Sequence, residues 1–226
     1  MLSWCRCRQT RKARDPGTKT GIPEGGSSRL FERRIPIVYT LIAAILLGLV
    51  SLYAFWLQRP ATTIIVVRHA EKTAEVAPGL PACAAGPPPS DQEVSLTPAG
   101  TARAQNLLGA LEDSGVGAVY VTQYRRTCET AKRVFENQGI VPTVFPVGEN
   151  RQQFAADLAA EILRNERGRV VLVVSHSDTV PMIIEALGAG TVPPIAESDY
   201  DNLFIVTLPG LFGTARLIQA TYGAPT

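Results

Sequence analysis

The sequence predicts an α/β protein, namely a three-layer α/β/α fold with a mainly parallel central sheet, preceded by one N-terminal transmembrane helix. The stretch from Ile35 to Leu57 contains no charged residue. Two runs rich in β-branched residues, ATTIIVV at 61–67 and VVLVV at 170–174, are typical of strands that are buried on both faces. Helix-like and strand-like segments alternate along the rest of the chain, which is the pattern of a parallel sheet covered by helices.

The length of 226 residues fits one ordinary α/β domain with accessory segments. We assign residues 1–34 to a disordered basic tail, 35–57 to a transmembrane helix and 58–226 to a single globular domain. The tail mixes Arg, Lys, Gly, Ser and Pro without apolar periodicity. It therefore cannot bury enough surface to offset the cost of ordering.

The apolar run 35–57 is long enough to span a bilayer core, because a helix rises about 1.5 Å per residue. A buried core helix is the alternative. Apolar character on all sides, Arg33 and Arg34 before the run, and Tyr53 and Trp56 near its end favour a membrane span. A cleaved signal peptide fits less well. The apolar run of a signal peptide usually has ~7 to 15 residues and is followed by a small-x-small site, whereas the run 35–57 is longer and no such site follows it.

The charge distribution predicts the orientation of this span. Residues 1–35 hold nine Lys or Arg against three acidic residues, which gives +6, and 36–58 carry no charge, so the rest of the +2 chain carries −4. The positive-inside rule places the tail in the cytoplasm and the domain outside it, anchored in the cell membrane by a single pass. The domain shows no basic stripe, so we infer no role in nucleic-acid binding.

The predicted elements after the membrane run follow in order. A long loop over 74–95 is rich in Pro, Gly and Ala, and loops of this length are usually functional or disordered. Thr97 then caps a helix that has Pro98 at its first position and stops at Gly115 or Gly117. The remaining elements are a strand at 118–121, a helix at 125–137, a strand at 141–145, a helix at 151–164, a strand at 170–174, a helix at 178–187, and two final strands, NLFIVTLPG and TARLIQATYG, that form an antiparallel edge.

The chain has only two histidines, and each follows the end of a buried strand, in IIVVRHAEK and LVVSHSDTVP. Ligands in open α/β sheets bind outside the carboxyl ends of the strands, so His69 and His176 face one crevice if their strands are neighbours. A lone histidine is more often a packed or surface residue. Two histidines at equivalent strand ends, one of them preceded by Arg68, favour a functional site.

A third strand end carries Arg125 and Arg126 just before a helix. These arginines could simply be solvated, but a cation at a helix start meets the positive end of the helix dipole, so their position indicates a bound anion. The guanidinium fork matches phosphate oxygens. With Arg68 and the two imidazoles, Arg126 would form a cationic pocket suited to a phosphoryl group.

These segments resemble the histidine phosphatase superfamily, also called phosphoglycerate-mutase-like. Its Arg-His-Gly/Ala-Glu signature is matched by Arg68, His69, Ala70 and Glu71. Three further segments are similar to family motifs: LTPAGTARAQNL at 96–107, YRRTCETA at 124–131 and SHSDTVP at 175–181. The resemblance covers about residues 61–210, with four motifs in order, and it identifies 58–226 as a histidine phosphatase-like domain.

The resemblance implies a covalent mechanism in which His69 attacks phosphorus and water then hydrolyses the phosphohistidine. A hydrogen bond from the other ring nitrogen, to a backbone carbonyl, is expected to orient the His69 ring. Arg68, Arg126 and His176 are expected to bind the phosphoryl oxygens. No metal or other cofactor is expected, because the chain has two His and no Asp/Glu cluster with ligand spacing.

The proton donor for the leaving group stays open between two carboxylates. Asp178 resembles the acid that directly follows the second histidine in the acid-phosphatase branch, offset by one residue, and it could equally be the N-cap of the next helix. Glu149 occupies the region where the mutase-like branch has its acid, without a convincing surrounding motif. Glu71 could contact substrate, or it could orient an arginine.

The predicted function is a membrane-anchored phosphatase that hydrolyses small phosphomonoesters outside the cytoplasm. A phosphate-binding or scaffold protein with little turnover is the main alternative. A phosphohistidine-protein phosphatase is another, although it requires the domain to face the cytoplasm. A mutase is disfavoured, because phosphoglycerates are cytoplasmic and the long mutase insertions are absent.

The four cysteines fall into two groups. Cys5 and Cys7 belong to the tail, whereas Cys83 and Cys128 belong to the domain, where an oxidising environment would preserve a disulfide between them. Two unrelated thiols are the equal alternative. The sequence does not indicate an oligomeric state.

Overall fold

The computed structural model describes residues 28–57, 60–76, 94–210 and 213–226. Its first helix, α1, spans Ser28–Leu57 and contains one stretch, Ile37–Phe55, that is long and apolar enough to cross a membrane. A signal sequence would show the same length and composition. The helix begins at Ser28 rather than at the predicted Ile35, because the intervening Arg, Leu, Phe and Glu residues do not oppose a helix. The rest of the predicted tail, 1–27, lies outside the described residues.

The remaining elements form an α/β domain. In chain order they are β1 (Thr62–Arg68), β2 (Lys72–Val76), β3 (Val94–Leu96), α2 (Pro98–Leu111), β4 (Val116–Val121), α3 (Arg125–Gln138), β5 (Thr143–Val144), α4 (Arg151–Asn165), β6 (Val170–Ser175), α5 (Thr179–Ala186), β7 (Asn202–Leu208) and β8 (Arg216–Thr221).

Six of these strands make one sheet in the order β5-β4-β6-β1-β7-β8. The first four strands of that order run parallel, whereas β7 pairs antiparallel with both β1 and β8. The predicted mainly parallel sheet with an antiparallel edge is confirmed. Because β1 and β6 are direct neighbours with Arg68 opposite Ser175, the segments that follow the two strands emerge side by side.

The two faces of the sheet bury separate apolar clusters. Alternate residues of β1 divide between them, since Ile64 and Val66 join the cluster that includes α4 and α5, while Ile65 and Val67 join the cluster with α2 and α3. All four side chains are buried. The continuous β-branched run in the sequence reflects this burial on both faces.

Helix α2 begins as the sequence predicts. Thr97 is its N-cap and accepts a 3.0 Å hydrogen bond from Gly100 N, and Pro98 occupies the first turn. A Cβ on Gly100 would lie 2.2 Å from the carbonyl oxygen of Glu71. Glycine is therefore required where α2 packs on the segment that follows β1.

The predicted loop over 74–95 is bounded by two short strands. β2 and β3 form a separate antiparallel pair in which Lys72 faces Leu96. Residues 77–93, including Cys83, lie outside the described residues. Cys128, in α3, is disulfide-bonded, and Cys5, Cys7 and Cys83 all lie in undescribed segments.

Candidate active site

The two histidines meet at the carboxyl ends of β1 and β6. Their ring centroids are 5.4 Å apart in an edge-to-face arrangement. His69 N donates a 2.9 Å hydrogen bond to Ser175 O, which continues the parallel pairing one residue beyond the strands. The adjacency expected from the sequence therefore follows directly from the strand order.

The His69 imidazole is buried and held by a backbone carbonyl. Its side chain is buried, and Nδ1 lies 2.8 Å from the carbonyl oxygen of Ala70. Because a carbonyl only accepts, Nδ1 carries the proton and Nε2 keeps its lone pair. Burial, aided by the charges of Arg126 and Arg68 and opposed by the Ala70 hydrogen bond, lowers the pKa of His69 to about 3. The imidazole is therefore neutral at physiological pH.

His176 is held from two sides. Its Nε2 lies 3.1 Å from Thr122 Oγ1, and its Nδ1 lies 3.5 Å from Nη2 of Arg126. The ring of Tyr124 packs edge-to-face on the imidazole, with centroids 4.9 Å apart. Burial lowers the pKa of His176, and the nearby His69 and Arg126 lower it further.

Arg68 is almost completely buried and is fixed by the loop before β7. Its Nη1 donates to the carbonyl oxygens of Ala196, Glu197 and Asp199 at 2.8 to 3.0 Å. Its Nη2 lies 3.1 Å from the carboxylate of Glu197. The ring of Tyr200 stacks on the guanidinium at 4.1 Å. These contacts leave little freedom in the position of the guanidinium.

The two arginines at the start of α3 diverge. Arg126 stacks on the ring of Tyr124 at 4.1 Å and lines the cleft with the histidines. Arg125 instead forms a 2.6 Å ion pair with Glu129, one helical turn along α3. Of the pair, only Arg126 lines this cleft.

Thr130 joins the first histidine segment to α3. Its Oγ1 accepts a 2.9 Å hydrogen bond from Ala70 N and donates a 2.7 Å bond to the carbonyl oxygen of Arg126. One hydroxyl therefore ties the backbone beside His69 to the backbone of the cleft arginine.

The cleft around the histidines has a volume of about 280 Å³ and is predominantly cationic. Its lining comprises Arg68, His69, Lys72, Tyr124, Arg126, Arg151, His176, Ser177, Asp178 and Glu197. Four basic side chains thus face two acidic ones, which favours an anionic ligand. A larger cleft of about 590 Å³ lies beside Arg125 and Glu129, but it contains neither histidine. We therefore place the candidate site in the smaller cleft.

The two carboxylates considered as proton donors differ in position. Asp178 lines the cleft, is half exposed and lies 3.3 Å from Nε of Arg151. It occupies the N-cap position of α5, but its side chain makes no capping hydrogen bond. Glu149 is exposed and is not part of the lining.

Glu71 is not part of the cleft lining and binds Arg103. Its carboxylate accepts from Nε of Arg103 at 2.9 and 3.0 Å and from Nη2 at 2.7 Å. Arg103 is buried and also donates to the carbonyl oxygen of Tyr222. Burial raises the pKa of Glu71, but the hydrogen bonds from Arg103 and from the Glu71 backbone, together with the charges of Arg103 and Arg68, outweigh it and hold that pKa below its usual value. The geometry matches the alternative in which Glu71 orients an arginine.

Several residues of the site were not predicted from the sequence, among them Lys72, Arg151, Glu197 and Tyr200. Lys72 follows His69 by three positions and Arg151 opens a helix as Arg126 does, so the same reasoning about strand ends and helix starts could have found both. Glu197 and Tyr200 give no such signal. They come from an irregular segment before β7, far from either histidine motif in the sequence.

One protein family matches part of the chain. The family model of the histidine phosphatase superfamily (branch 1) matches residues 64–147, a range that contains His69 and Arg126. His176 lies beyond that range, and the pairing of β6 with β1 brings it into the same cleft. No curated protein sequence matches the chain.

One solved structure shares the fold. The protein histidine phosphatase SixA, complexed with tungstate, is 22% identical and has a TM-score of 0.50, and the match covers 70% of this chain and 96% of that one. A mycobacterial glucosyl-3-phosphoglycerate phosphatase is 15% identical with a TM-score of 0.48, covering 73% of this chain and 99% of the other. Likeness at these identities concerns the fold alone.

Proposed function

We propose that this chain, which belongs to the histidine phosphatase superfamily, hydrolyses phosphomonoesters through a phosphohistidine intermediate on His69. The observation that carries the proposal is the state of the His69 ring. Its Nδ1 is held by Ala70 O, so Nε2 presents a lone pair, and burial together with nearby positive charge keeps that lone pair unprotonated. A neutral, oriented imidazole in a cationic cleft is what attack on a phosphoryl group requires.

In the proposed reaction, Arg68, Arg126 and His176 bind the phosphoryl oxygens and offset the charge that develops on them. His69 Nε2 attacks phosphorus, so a P–N bond forms while the P–O bond to the leaving group breaks. The leaving oxygen takes a proton and departs as an alcohol. Water then attacks phosphorus and gives one proton back to the acid that protonated the leaving oxygen, the P–N bond breaks, and inorganic phosphate leaves with His69 restored.

Asp178 is the proposed proton donor. It lines the cleft, whereas Glu149 does not, and its side chain is not engaged as a helix cap. A donor must hold a proton when the P–O bond breaks, so the ion pair with Arg151 would have to loosen when substrate binds. A half-exposed pair of this kind is weak enough to do so.

A phosphohistidine on another protein is a second candidate substrate. Asp178 and Glu197, the acidic side chains of the described cleft, are both ion-paired with arginines, so neither is a ready proton donor. A phosphohistidine substrate would tolerate this, because a leaving imidazole needs less help from an acid than an alkoxide does. SixA, which shares the fold, is a protein histidine phosphatase. This candidate requires the domain to face the cytoplasm. A phosphate-binding or scaffold role with little turnover is the remaining alternative.

The proposed location is the cell membrane, with α1 as an uncleaved anchor, the basic N-terminal tail in the cytoplasm and the domain outside. The support is the apolar stretch Ile37–Phe55 together with the excess of Arg and Lys before it. A reporter enzyme that is active only outside the cytoplasm, fused after Thr226, is expected to be active. Silence of a well-expressed fusion would reverse the orientation. Sequencing the N-terminus of the mature protein would reveal cleavage, and therefore a signal sequence.

The activity is tested with the full chain in detergent, using an aryl phosphate and a His69→Ala variant. Loss of phosphate release in the variant alone is expected, and equal release by both proteins would exclude catalysis at His69. Because aryl phosphates have good leaving groups, a panel of alkyl phosphates with Asp178→Asn should follow. A selective loss on alkyl esters is expected if Asp178 protonates the leaving oxygen.

A further inference from the structure

Glu197 occupies a position in the cleft that the proposed reaction leaves without a role. Its Oε2 lies 3.1 Å from Nη2 of Arg68, and its Oε1 makes a longer contact of 3.4 Å with the hydroxyl of Ser177. The carboxylate therefore spans from the last residue of β1 to the segment after β6. Its side chain is 88% exposed, so it lies at the mouth of the cleft rather than in its floor.

The hydrogen bonds of Arg68 show which of its donors are left for a ligand. Nη1 is taken up by the backbone carbonyl oxygens of the loop that holds it. Nε is buried and has no hydrogen-bond partner among the described residues. The edge formed by Nε and Nη2 is the side of a guanidinium that binds two oxygens of a phosphate at once. Glu197 contacts Nη2, one of the two nitrogens of that edge.

We propose that Glu197 is an internal anion that occupies part of the Arg68 anion site and must be displaced by the incoming phosphoryl group, so that it sets the affinity of the cleft for phosphate. This inference rests on the proposed function, since it takes the same cleft as the phosphate site. A phosphoryl group on Nε and Nη2 would bring two anions into contact unless the carboxylate swings away. The exchange is feasible because most of the Glu197 side chain already faces solvent.

Removing the Glu197 carboxylate should not disturb the position of Arg68. The carbonyl contacts of Nη1 come from the backbone, including that of Glu197 itself, and the ring of Tyr200 covers the guanidinium face. A variant at Glu197 therefore changes the competition for Nη2 while the arginine remains in place. A proton donor at this position would behave differently, because its loss would lower kcat on alkyl phosphates without tightening phosphate binding.

The test compares wild type with Glu197→Gln and Glu197→Ala as full-length proteins in detergent. Binding of inorganic phosphate is measured by calorimetry, and KM and kcat are measured with an aryl phosphate. Both variants are expected to bind phosphate about 3- to 10-fold more tightly, the range that follows from losing one exposed competing ion pair and its repulsion of the ligand. Glu185→Gln, an exposed change of the same charge on α5, is the matched control and should leave the Kd unchanged.

Unchanged or weaker phosphate binding in folded Glu197→Gln would overturn the inference, and melting curves establish that the variant is folded. Glu197→Gln keeps the size of the side chain, so it remains informative if Glu197→Ala is unstable. The proposed function can fail separately. If the wild-type protein binds phosphate but shows no turnover, catalysis is refuted and the competition between Glu197 and phosphate for Arg68 still stands. If the wild-type protein does not bind phosphate at all, both proposals are refuted.

Discussion

The Nε2 atom of His176 lies 3.1 Å from the hydroxyl oxygen of Thr122, and this contact fixes which nitrogen of the imidazole carries the proton. Thr122 Oγ1 is in turn 3.0 Å from Thr127 Oγ1. The Thr127 hydroxyl lies 2.7 Å from the carbonyl of Tyr124 and 3.2 Å from that of Thr122, and both carbonyls only accept. Thr127 must therefore donate to a carbonyl, Thr122 donates to Thr127, and His176 donates to Thr122 through Nε2–H.

The other side of the ring leads to the same tautomer. Arg126 can only donate, so its approach to within 3.5 Å of His176 Nδ1 requires a lone pair on that nitrogen. Nδ1 therefore faces the cleft as an acceptor in the free protein. To donate a hydrogen bond to a phosphoryl oxygen, His176 must first take up a proton at Nδ1. The substrate monoanion or solvent can supply that proton.

The first prediction concerns Thr122. Thr122→Val keeps the shape of the side chain but removes the acceptor for His176 Nε2–H, so only the 3.5 Å contact with Arg126 still favours that tautomer. Because partners that orient a functional histidine typically contribute 10- to 100-fold, kcat on an aryl phosphate is expected to fall by about tenfold. Thr122→Ser retains the hydroxyl and should restore the rate. Imidazole ¹⁵N chemical shifts report the tautomer of His176 directly. If Thr122→Val keeps both the wild-type tautomer and the wild-type rate, the hydrogen bonds from Thr127 through Thr122 to His176 play no part in the reaction.

The positions of His69, His176 and Arg126 were predictable because they depend on local pattern. Each follows a strand end, and the carboxyl ends of parallel strands share one edge of a sheet. Arg125 was less predictable, since the pattern does not decide which of two adjacent arginines turns toward the cleft. Which arginine lines the cleft depends on Glu129, because Glu129 forms an ion pair with Arg125.

Glu197 and Tyr200 could not be predicted for a different reason. They reach Arg68 because β7 pairs antiparallel with β1, which brings a segment more than a hundred residues away against the first histidine motif. Their segment has neither periodicity nor a motif. The partnership of Glu71 with Arg103 likewise depends on how α2 packs on the segment after β1, which the close approach at Gly100 fixes.

The second prediction concerns pH. The pKa of His69 is about 3 in the folded protein, against 6.5 as its ordinary value. Between these values the unfolded chain binds more protons, so the free energy of unfolding should fall by roughly 1.4 kcal/mol per pH unit as the pH drops from 6.5 toward 3. Above pH 6.5 this residue contributes no pH dependence.

Two measurements check this pH effect. The ring resonances of His69 should show no titration between pH 5 and 8, and an inflection near 6.5 would contradict the buried neutral imidazole. In urea unfolding, His69→Asn should make the acid-side loss of stability shallower without abolishing it. Some dependence remains because burial also lowers the pKa of His176.

The third prediction separates structure from substrate binding at Glu71. Glu71→Gln leaves Arg103, which is 3% exposed, without its anionic partner. Breaking a buried pair in this way typically costs about 3 kcal/mol, so the melting temperature should fall clearly. The double variant Glu71→Gln, Arg103→Met removes the stranded charge and should recover part of the loss. The KM of the folded fraction of Glu71→Gln should match that of the wild type, because Glu71 does not line the cleft. A raised KM at unchanged stability would instead show that Glu71 contacts the substrate.

The last prediction uses the disulfide of Cys128 to test both covalent structure and topology. If the span orients as proposed, Cys5 and Cys7 lie on the reducing side of the membrane, and Cys83 is the only cysteine on the same side as Cys128. Peptide mapping by mass spectrometry without reductant should therefore find Cys83 joined to Cys128. The chain-entropy relation gives about 4 kcal/mol for a loop of this length, so Cys83→Ser should lower stability as much as reduction does, whereas Cys5→Ser should not. A Cys128 peptide joined to Cys5 or Cys7 would contradict both the pairing and the proposed orientation.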